Sequence, residues 1–144
     1  MRVPMRVDYG VRALVELALH EGGKPMQTPE IASRQNIPEA YLDQVMTTLH
    51  KAGLIYSRRG PQGGHTLATD PKKIDLGMIM SALEGKSRLL DCLVEPQGCE
   101  MSNACAQREV WRDFEESVQE LLGTTTIAHM ATRQRELTVA LSKH

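Results

Sequence analysis

Residues 28–67 constrain this chain more than any other stretch, because helix signals, breakers and a glycine-rich basic turn follow one another in an order few folds accept. Thr28-Pro29-Glu30 announces a helix: a hydroxyl able to cap, a proline whose missing amide costs nothing in the first turn, and an acid beside the positive helix end. Ile31 and Ala32 are its apolar face. Asn36-Ile37-Pro38 breaks it, since the residue before a proline is pushed out of helical geometry and Asn favours turns. A second helix starts at Pro38. There Leu42, Val45, Met46 and Leu49 recur at three- and four-residue spacing, which leaves Glu39, Tyr41, Asp43, Gln44, Thr47, Thr48 and Lys51 mostly outward. Gly53 ends it. Residues 54–57 and 65–68 then read as strands around Arg58-Arg59-Gly60-Pro61-Gln62-Gly63-Gly64.

Two helices joined by a short turn support DNA binding only weakly by themselves. The ribbon strengthens that reading, because a loop with two adjacent arginines can reach phosphate or the narrow minor groove. A merely solvated hairpin would show the same glycines and charge, so the weight lies in its position directly after a helix-turn-helix. We expect Gln44 to bridge adenine with its two-ended amide and Tyr41 to meet phosphate or a thymine methyl. Arg58, Arg59 and His65 complete the expected DNA-facing set, with Arg59 placed for the minor groove.

The expected fold class is mainly α with a small β-wing, a winged helix-turn-helix joined to a long dimerisation helix. Residues 1–73 form the DNA-binding domain in this reading, and residues 74–144 the cysteine-bearing loop and dimerisation helix. Charge follows the division. Residues 1–73 hold 10 Lys/Arg against 7 Asp/Glu, net +3, whereas residues 74–144 hold 7 against 11, net −4. The overall charge of −1 conceals a basic half that contains the wing, as an electrostatic footprint on nucleic acid requires.

A first helix is expected over about residues 8–21, with Val11, Leu14, Val15, Ala18 and Leu19 buried and Asp8 standing where an N-cap belongs. Asp75 should cap a short helix over residues 76–84 that Gly85 closes. A long helix over about residues 103–122 carries Val110, Trp111, Phe114, Val118, Leu121 and Leu122, a stripe that asks for a second subunit. Gly123 should stop it. A short helix through Ala131 and a partly disordered charged tail from residue 133 should follow. No apolar run reaches membrane-span length and the first residues lack a secretory signal, so the expected location is the cytoplasm.

The three cysteines, Cys92, Cys99 and Cys105, fall at C-x6-C-x5-C in the least regular segment of the chain. In a reducing compartment they are not expected as disulfides. Thiolates ligate both zinc and iron-sulfur clusters, but structural zinc sites typically use C-x2-4-C knuckles, which neither gap matches. A cluster is therefore preferred, zinc is second, and three free thiols on an irregular loop remain the plainest alternative. Catalysis has little support: no cysteine lies beside a His, and no Ser-His-Asp or paired-carboxylate pattern is present.

These residues carry a resemblance covering nearly the whole chain. Met1-Arg2-Val3 with residues 9–14, Tyr41-Leu42-Asp43-Gln44, Lys51-Ala52-Gly53-Leu54, residues 59–64, the segment from Ile74 to Gly85 and the three-cysteine loop closed by Trp111-Arg112-Asp113 resemble the iron-sulfur and nitric-oxide responsive winged-helix regulators typified by IscR and NsrR. The resemblance implies a homodimer, a cluster on the three cysteines and cluster-dependent binding to a palindromic promoter site in double-stranded DNA. IscR-type members with a [2Fe-2S] cluster place a His three residues after the last cysteine; here that position is Arg108, whose guanidinium is no iron ligand. The NsrR-type branch implies a [4Fe-4S] cluster completed by an aspartate near the other subunit's N-terminus, where this chain has Asp8. The expectation is thus a DNA-binding regulator under iron-sulfur control, [4Fe-4S] ahead of [2Fe-2S]. A zinc-bound or metal-free repressor and a small iron-sulfur redox protein are the alternatives.

Overall fold

The computed structural model describes residues 2–86 and 89–143. Its helices are α1 (Met5–Leu19), α2 (Thr28–Gln35), α3 (Glu39–Lys51), α4 (Leu76–Glu84), α5 (Ala106–Thr124) and α6 (Ile127–Ser142), and its hairpin is β1 (Ile55–Arg58) with β2 (Gly64–Leu67). Mainly helical with one small antiparallel sheet, this is the expected winged helix-turn-helix class.

Helix α1 begins three residues before the expected start. Pro4 is its N-cap, and the Pro4 carbonyl accepts from the amides of Val7 (3.0 Å) and Asp8 (3.1 Å). A proline there has no amide of its own to satisfy, so the helix extends back to it. Asp8 is consequently not the cap. It lies in the first turn, where its carboxylate still favours the helix dipole and meets Arg12 Nε four residues on at 3.2 Å.

The α2-α3 turn is set by two features. Asn36 adopts left-handed geometry at φ 52° and ψ 51°, a conformation Asn tolerates better than most residues. Ile37, fully inside, donates its amide to the Ala32 carbonyl at 2.9 Å. Leu42, Val45, Met46 and Leu49 are all buried, as their spacing predicts. Thr28 differs from expectation. It is the first helical residue after the N-cap Gln27, and its hydroxyl bonds the His65 ring instead of a helix amide.

In the hairpin Ile55 pairs with Leu67, Tyr56 with Thr66, Ser57 with His65 and Arg58 with Gly64, one residue displaced from the expected strands. Leu54 is left out of β1 because its amide closes α3 by donating to the Leu49 carbonyl at 3.1 Å. Met26 adds a further bridge to His65 on the other side of β2, which no local pattern announces.

Asp75 Oδ1 accepts from the Met78 amide at 2.9 Å and starts α4 as expected. Helix α5 runs past Gly123 to Thr124 rather than stopping. The hydroxyls of Thr124 and Thr125 donate back to the carbonyls of Glu120 (2.9 Å) and Leu121 (2.8 Å), satisfying acceptors that a glycine turn would otherwise serve. Helix α6 also corrects expectation, continuing through the charged tail to Ser142. Thr126 caps it by accepting from the His129 amide at 3.1 Å, Arg133 and Glu136 pair at 2.9 Å, and no proline or glycine interrupts residues 127–142.

The core draws on α1, α2, α3, β1, α4 and the first turns of α6, with Leu14, Ile31, Leu42, Met46, Leu49, Ile55, Ile74, Ile79 and Ile127 completely enclosed. Two backbone bonds fasten the end of α5 and the start of α6 to it: Leu76 N to Thr125 O at 3.0 Å, and Ile127 N to Ile74 O at 2.8 Å. Helix α5 contributes no buried apolar side chain. Val110, Trp111, Phe114 and Leu121 of its stripe are exposed, whereas Val118 and Leu122 are half-buried where α5 packs on α4.

Candidate nucleic-acid interface and cysteine loop

Helix α3 turns its apolar stripe to the core, so Asp43, Gln44 and Thr47 stand on its solvent side. The hydroxyls of Thr47 and Thr48 fold back onto the carbonyls of Asp43 (2.8 Å) and Gln44 (3.2 Å), and the Gln44 side chain is exposed beside them. Tyr41 is half-buried and meets Tyr9 edge-on at 5.5 Å, which fixes its ring against α1. Arg58 and Arg59 are exposed on the hairpin. A groove of about 360 Å³ separates helix and hairpin, with Asp43, Thr47, Arg58 and Arg59 among its lining residues.

The turn carrying the arginines is compact enough to demand glycine. A Cβ on Gly63 would come within 2.0 Å of the Arg58 carbonyl oxygen, and one on Gly64, at φ +135°, within 2.7 Å of the Met26 carbonyl carbon.

His65 lies one pair from the turn of the hairpin, half-buried at the wall of the groove between helix and hairpin, with its ring turned onto its own chain. Its Nε2 is 2.9 Å from Thr28 Oγ1 and its Nδ1 is 2.7 Å from Ser57 Oγ. Both ring nitrogens, the groups that would read a base or phosphate, are thus engaged inside the protein. Burial lowers its pKa below the ordinary 6.5; the Asp43 carboxylate opposes that shift and His50 reinforces it.

The cysteines occupy a chain of short 3-10 turns between α4 and α5. Cys92 sits in the turn Asp91–Leu93, Cys99 follows Pro96–Gly98, and Cys105 is the extended residue from which α5 starts. None is in a disulfide; Cys99 is exposed and the other two are half-buried. Two side chains of α5 hold this loop. Arg108 Nε donates to the Cys92 carbonyl at 3.2 Å, and Glu115, enclosed against the loop, accepts from the Leu89 amide at 3.3 Å. Seven residues apart, they share one face of the helix. The Ser102 hydroxyl is buried between the second and third cysteines with no hydrogen-bond partner.

Among the described residues, no three His, Cys, Asp or Glu side chains converge as a metal site. The donor chemistry nevertheless suits an iron-sulfur cluster: three unpaired soft thiols on one loop, with an orphaned hydroxyl beside them. Asp8 is on α1, exposed and paired with Arg12, whose Nη1 also donates to the Gln35 carbonyl at 2.7 Å. No described contact joins it to the cysteines of its own chain.

Sequence reasoning missed the inward bonding of His65, the Met26 bridge and the two α5 anchors. Only Arg108 carried a signal in advance, as a residue at the expected histidine position that could not ligate.

A recognition helix, a basic wing and a further long helix define a DNA-binding transcription regulator of the winged helix-turn-helix class. A family model described as an iron-dependent transcriptional regulator, Rrf2, matches residues 3–133. The chain belongs to the Rrf2 family. It is 34% identical over 140 residues to the HTH-type transcriptional regulator IscR of Yersinia pseudotuberculosis, covering 97% of this chain and 85% of that protein. The solved structure of T. potens IscR superposes with a TM-score of 0.75 at 34% identity, over 95% of this chain and 90% of that one. CymR, the global cysteine regulator of B. subtilis, superposes with a TM-score of 0.77 at 32% identity, over 92% and 98%. Among the described residues no helix is long and apolar enough to cross a membrane.

Proposed function

We propose that this regulator binds palindromic double-stranded DNA as a homodimer, and that its affinity is set by an iron-sulfur cluster, [4Fe-4S] in preference to [2Fe-2S]. Cys92, Cys99 and Cys105 would hold the group, with Asp8 of the second subunit as fourth ligand. The observation that carries this reading is the position of the thiols: unpaired, partly accessible, and anchored by Arg108 and Glu115 to the helix that carries the exposed apolar stripe. When bound, the cluster would supply a link sensitive to nitric oxide, oxygen, iron supply or redox state.

The chain's own residues supply the rest. Gln44 reads base edges, Tyr41 fixes the helix against the duplex, and Arg58 and Arg59 meet phosphate or the minor groove. Pairing of two α5 helices through Trp111, Phe114 and Val118 sets the distance between recognition helices, hence the half-site spacing, about one helical turn or a multiple. A shift in the loop therefore acts on DNA affinity through the angle between subunits, by selecting between two domain arrangements. The division into a DNA-binding part, residues 1–73, and a sensing and dimerising part, residues 74–144, belongs to this proposal.

Protein purified without oxygen should be coloured and contain iron and acid-labile sulfide. Cys92→Ala, Cys99→Ala and Cys105→Ala should each lose the colour, whereas Asp8→Ala should keep colour but hold it more briefly and lose its coupling to DNA affinity. A colourless protein with stoichiometric zinc would instead establish the metal-bound repressor. If Asp8→Ala matches the native protein in spectrum, lifetime and coupling, the fourth ligand is another group.

A further inference from the structure

We propose that His65 is a positioning residue for DNA recognition: tying the start of α2 to β1, it holds the wing at the angle from which Arg59 meets DNA. The inference rests on the DNA-binding reading and assigns His65 a place behind the interface rather than in it.

Four hydrogen bonds join this residue to three segments. Its ring bonds Thr28, the first residue of α2, at 2.9 Å and Ser57 of β1 at 2.7 Å. Its backbone amide donates to the Met26 carbonyl at 2.7 Å and its carbonyl accepts from the Met26 amide at 3.1 Å. Ser57 immediately precedes Arg58 and Arg59, so the strand fastened by the ring is the strand that delivers the guanidinium groups. A two-stranded hairpin with four-residue strands has little stiffness of its own, and its direction must come from what grips its side, here one pair from the turn. Thr28 provides that grip because α2 is packed against α3; the wing is thereby referenced to the recognition helix through a side-chain bridge.

The chemistry suits a fixed bridge. A neutral imidazole has one donor and one acceptor, and each facing hydroxyl can play either role, so both tautomers are satisfied. With both nitrogens occupied, the ring has no polar edge left for a base. Gly63 and Gly64 bring the turn too close to its neighbours for any other residue, so the turn end of the hairpin cannot settle elsewhere without breaking these bonds.

The test uses the full-length protein and a palindromic duplex enriched by the native protein from a random-sequence pool, with binding followed by fluorescence anisotropy at several salt concentrations. His65→Ala should bind about tenfold more weakly, the scale of one or two lost hydrogen bonds. It should also flatten the salt dependence by about one phosphate contact, although an imidazole that burial keeps neutral carries no charge to lose at neutral pH. In an Arg59→Ala background the same change should add little, since the contact it positions is already gone. Thr28→Val keeps the shape of a residue outside the interface and removes one hydroxyl; it should act in the same direction, about threefold, so the outcome does not depend on one variant folding. His65→Gln, able to reach Thr28, should recover part of the loss. Losses that multiply with Arg59→Ala, or native salt slopes in both His65→Ala and Thr28→Val, would overturn the proposal while leaving DNA binding intact. Failure of the native protein to enrich any duplex would overturn both readings.

Discussion

The helix-turn-helix and the α5 region are built to different densities. Around α3 every apolar side chain of the stripe is enclosed, and even the hairpin is bonded through His65 to two other segments. Along α5 the one enclosed residue is an acid, Glu115, while Val110 and Leu121 stay more than 60% exposed. Among the described residues, side-chain bonds from Arg108 and Glu115 hold the cysteine loop, and Ser102 is its one buried residue. A reader of DNA has to present the same face each time, and dense packing supplies that. On the proposed function, the α5 region would take on a cluster and a second subunit, and its missing contacts would come from outside the chain.

The largest expected effect that could break this contrast is on assembly. Phe114→Asp should convert a dimer to a monomer in sedimentation at micromolar concentration, because it places a charge in the proposed interface, yet leave the helical signal of the winged domain in place. A native protein that sediments as a monomer would remove the distinction. Next in size is a pair of truncations read by urea unfolding. Leu42→Ala, at a fully enclosed site, should cost about 2–5 kcal/mol, whereas Val94→Ala, exposed in the cysteine loop, should stay within about 0.5 kcal/mol. Equal costs would mean that the loop is as well packed as the core. Arg108→Ala should then speed alkylation of Cys92 in the protein without cofactor more than that of Cys99, because only the Cys92 turn loses its anchor.

The smallest effect is on pH. The unfolded chain binds a proton at His65 more tightly than the folded protein, since the folded pKa lies below 6.5. Stability from this residue is therefore complete above about pH 6.5 and declines as pH falls through the interval beneath it. Asp43 and His50 face the ring and act in opposite senses, Asp43 favouring the proton and His50 opposing it. His65→Gln should remove that part of the slope in unfolding measured between pH 7 and 5.

What could be read in advance was local. The α3 stripe, the cap at Asp75 and the helix break at Asn36 each depend on residues within one turn, so periodicity and breaker chemistry suffice for them. Thr28 looked like a cap for the same reason, and lost that role to a ring 37 residues away that no local rule weighs. Charge in the tail suggested disorder, but Arg, Gln, Glu, Leu and Ala are good helix formers, and Thr126 provided the start. Gly123 looked like a stop because glycine commonly is one, and the threonine hydroxyls behind it removed the need. At the candidate site the residue types and the spacing of the cysteines were legible, together with the unsuitability of Arg108 as a ligand. The bond from Arg108 to the Cys92 carbonyl was not, because it joins two elements whose docking no periodicity records.

The rungs at Leu76-Thr125 and Ile74-Ile127 give α5 the mechanics of a lever. One end is pinned to the hydrophobic core's edge at Ile74 and Leu76 by backbone bonds, while the other starts at Cys105. A helix of 19 residues is a rod of about 28 Å. Displacing its free end by about 2 Å about the pinned one tilts it by about 4°. Because the exposed stripe lies along the rod itself, that tilt would turn the whole mating surface at once, and a second rod seated on it would have to follow.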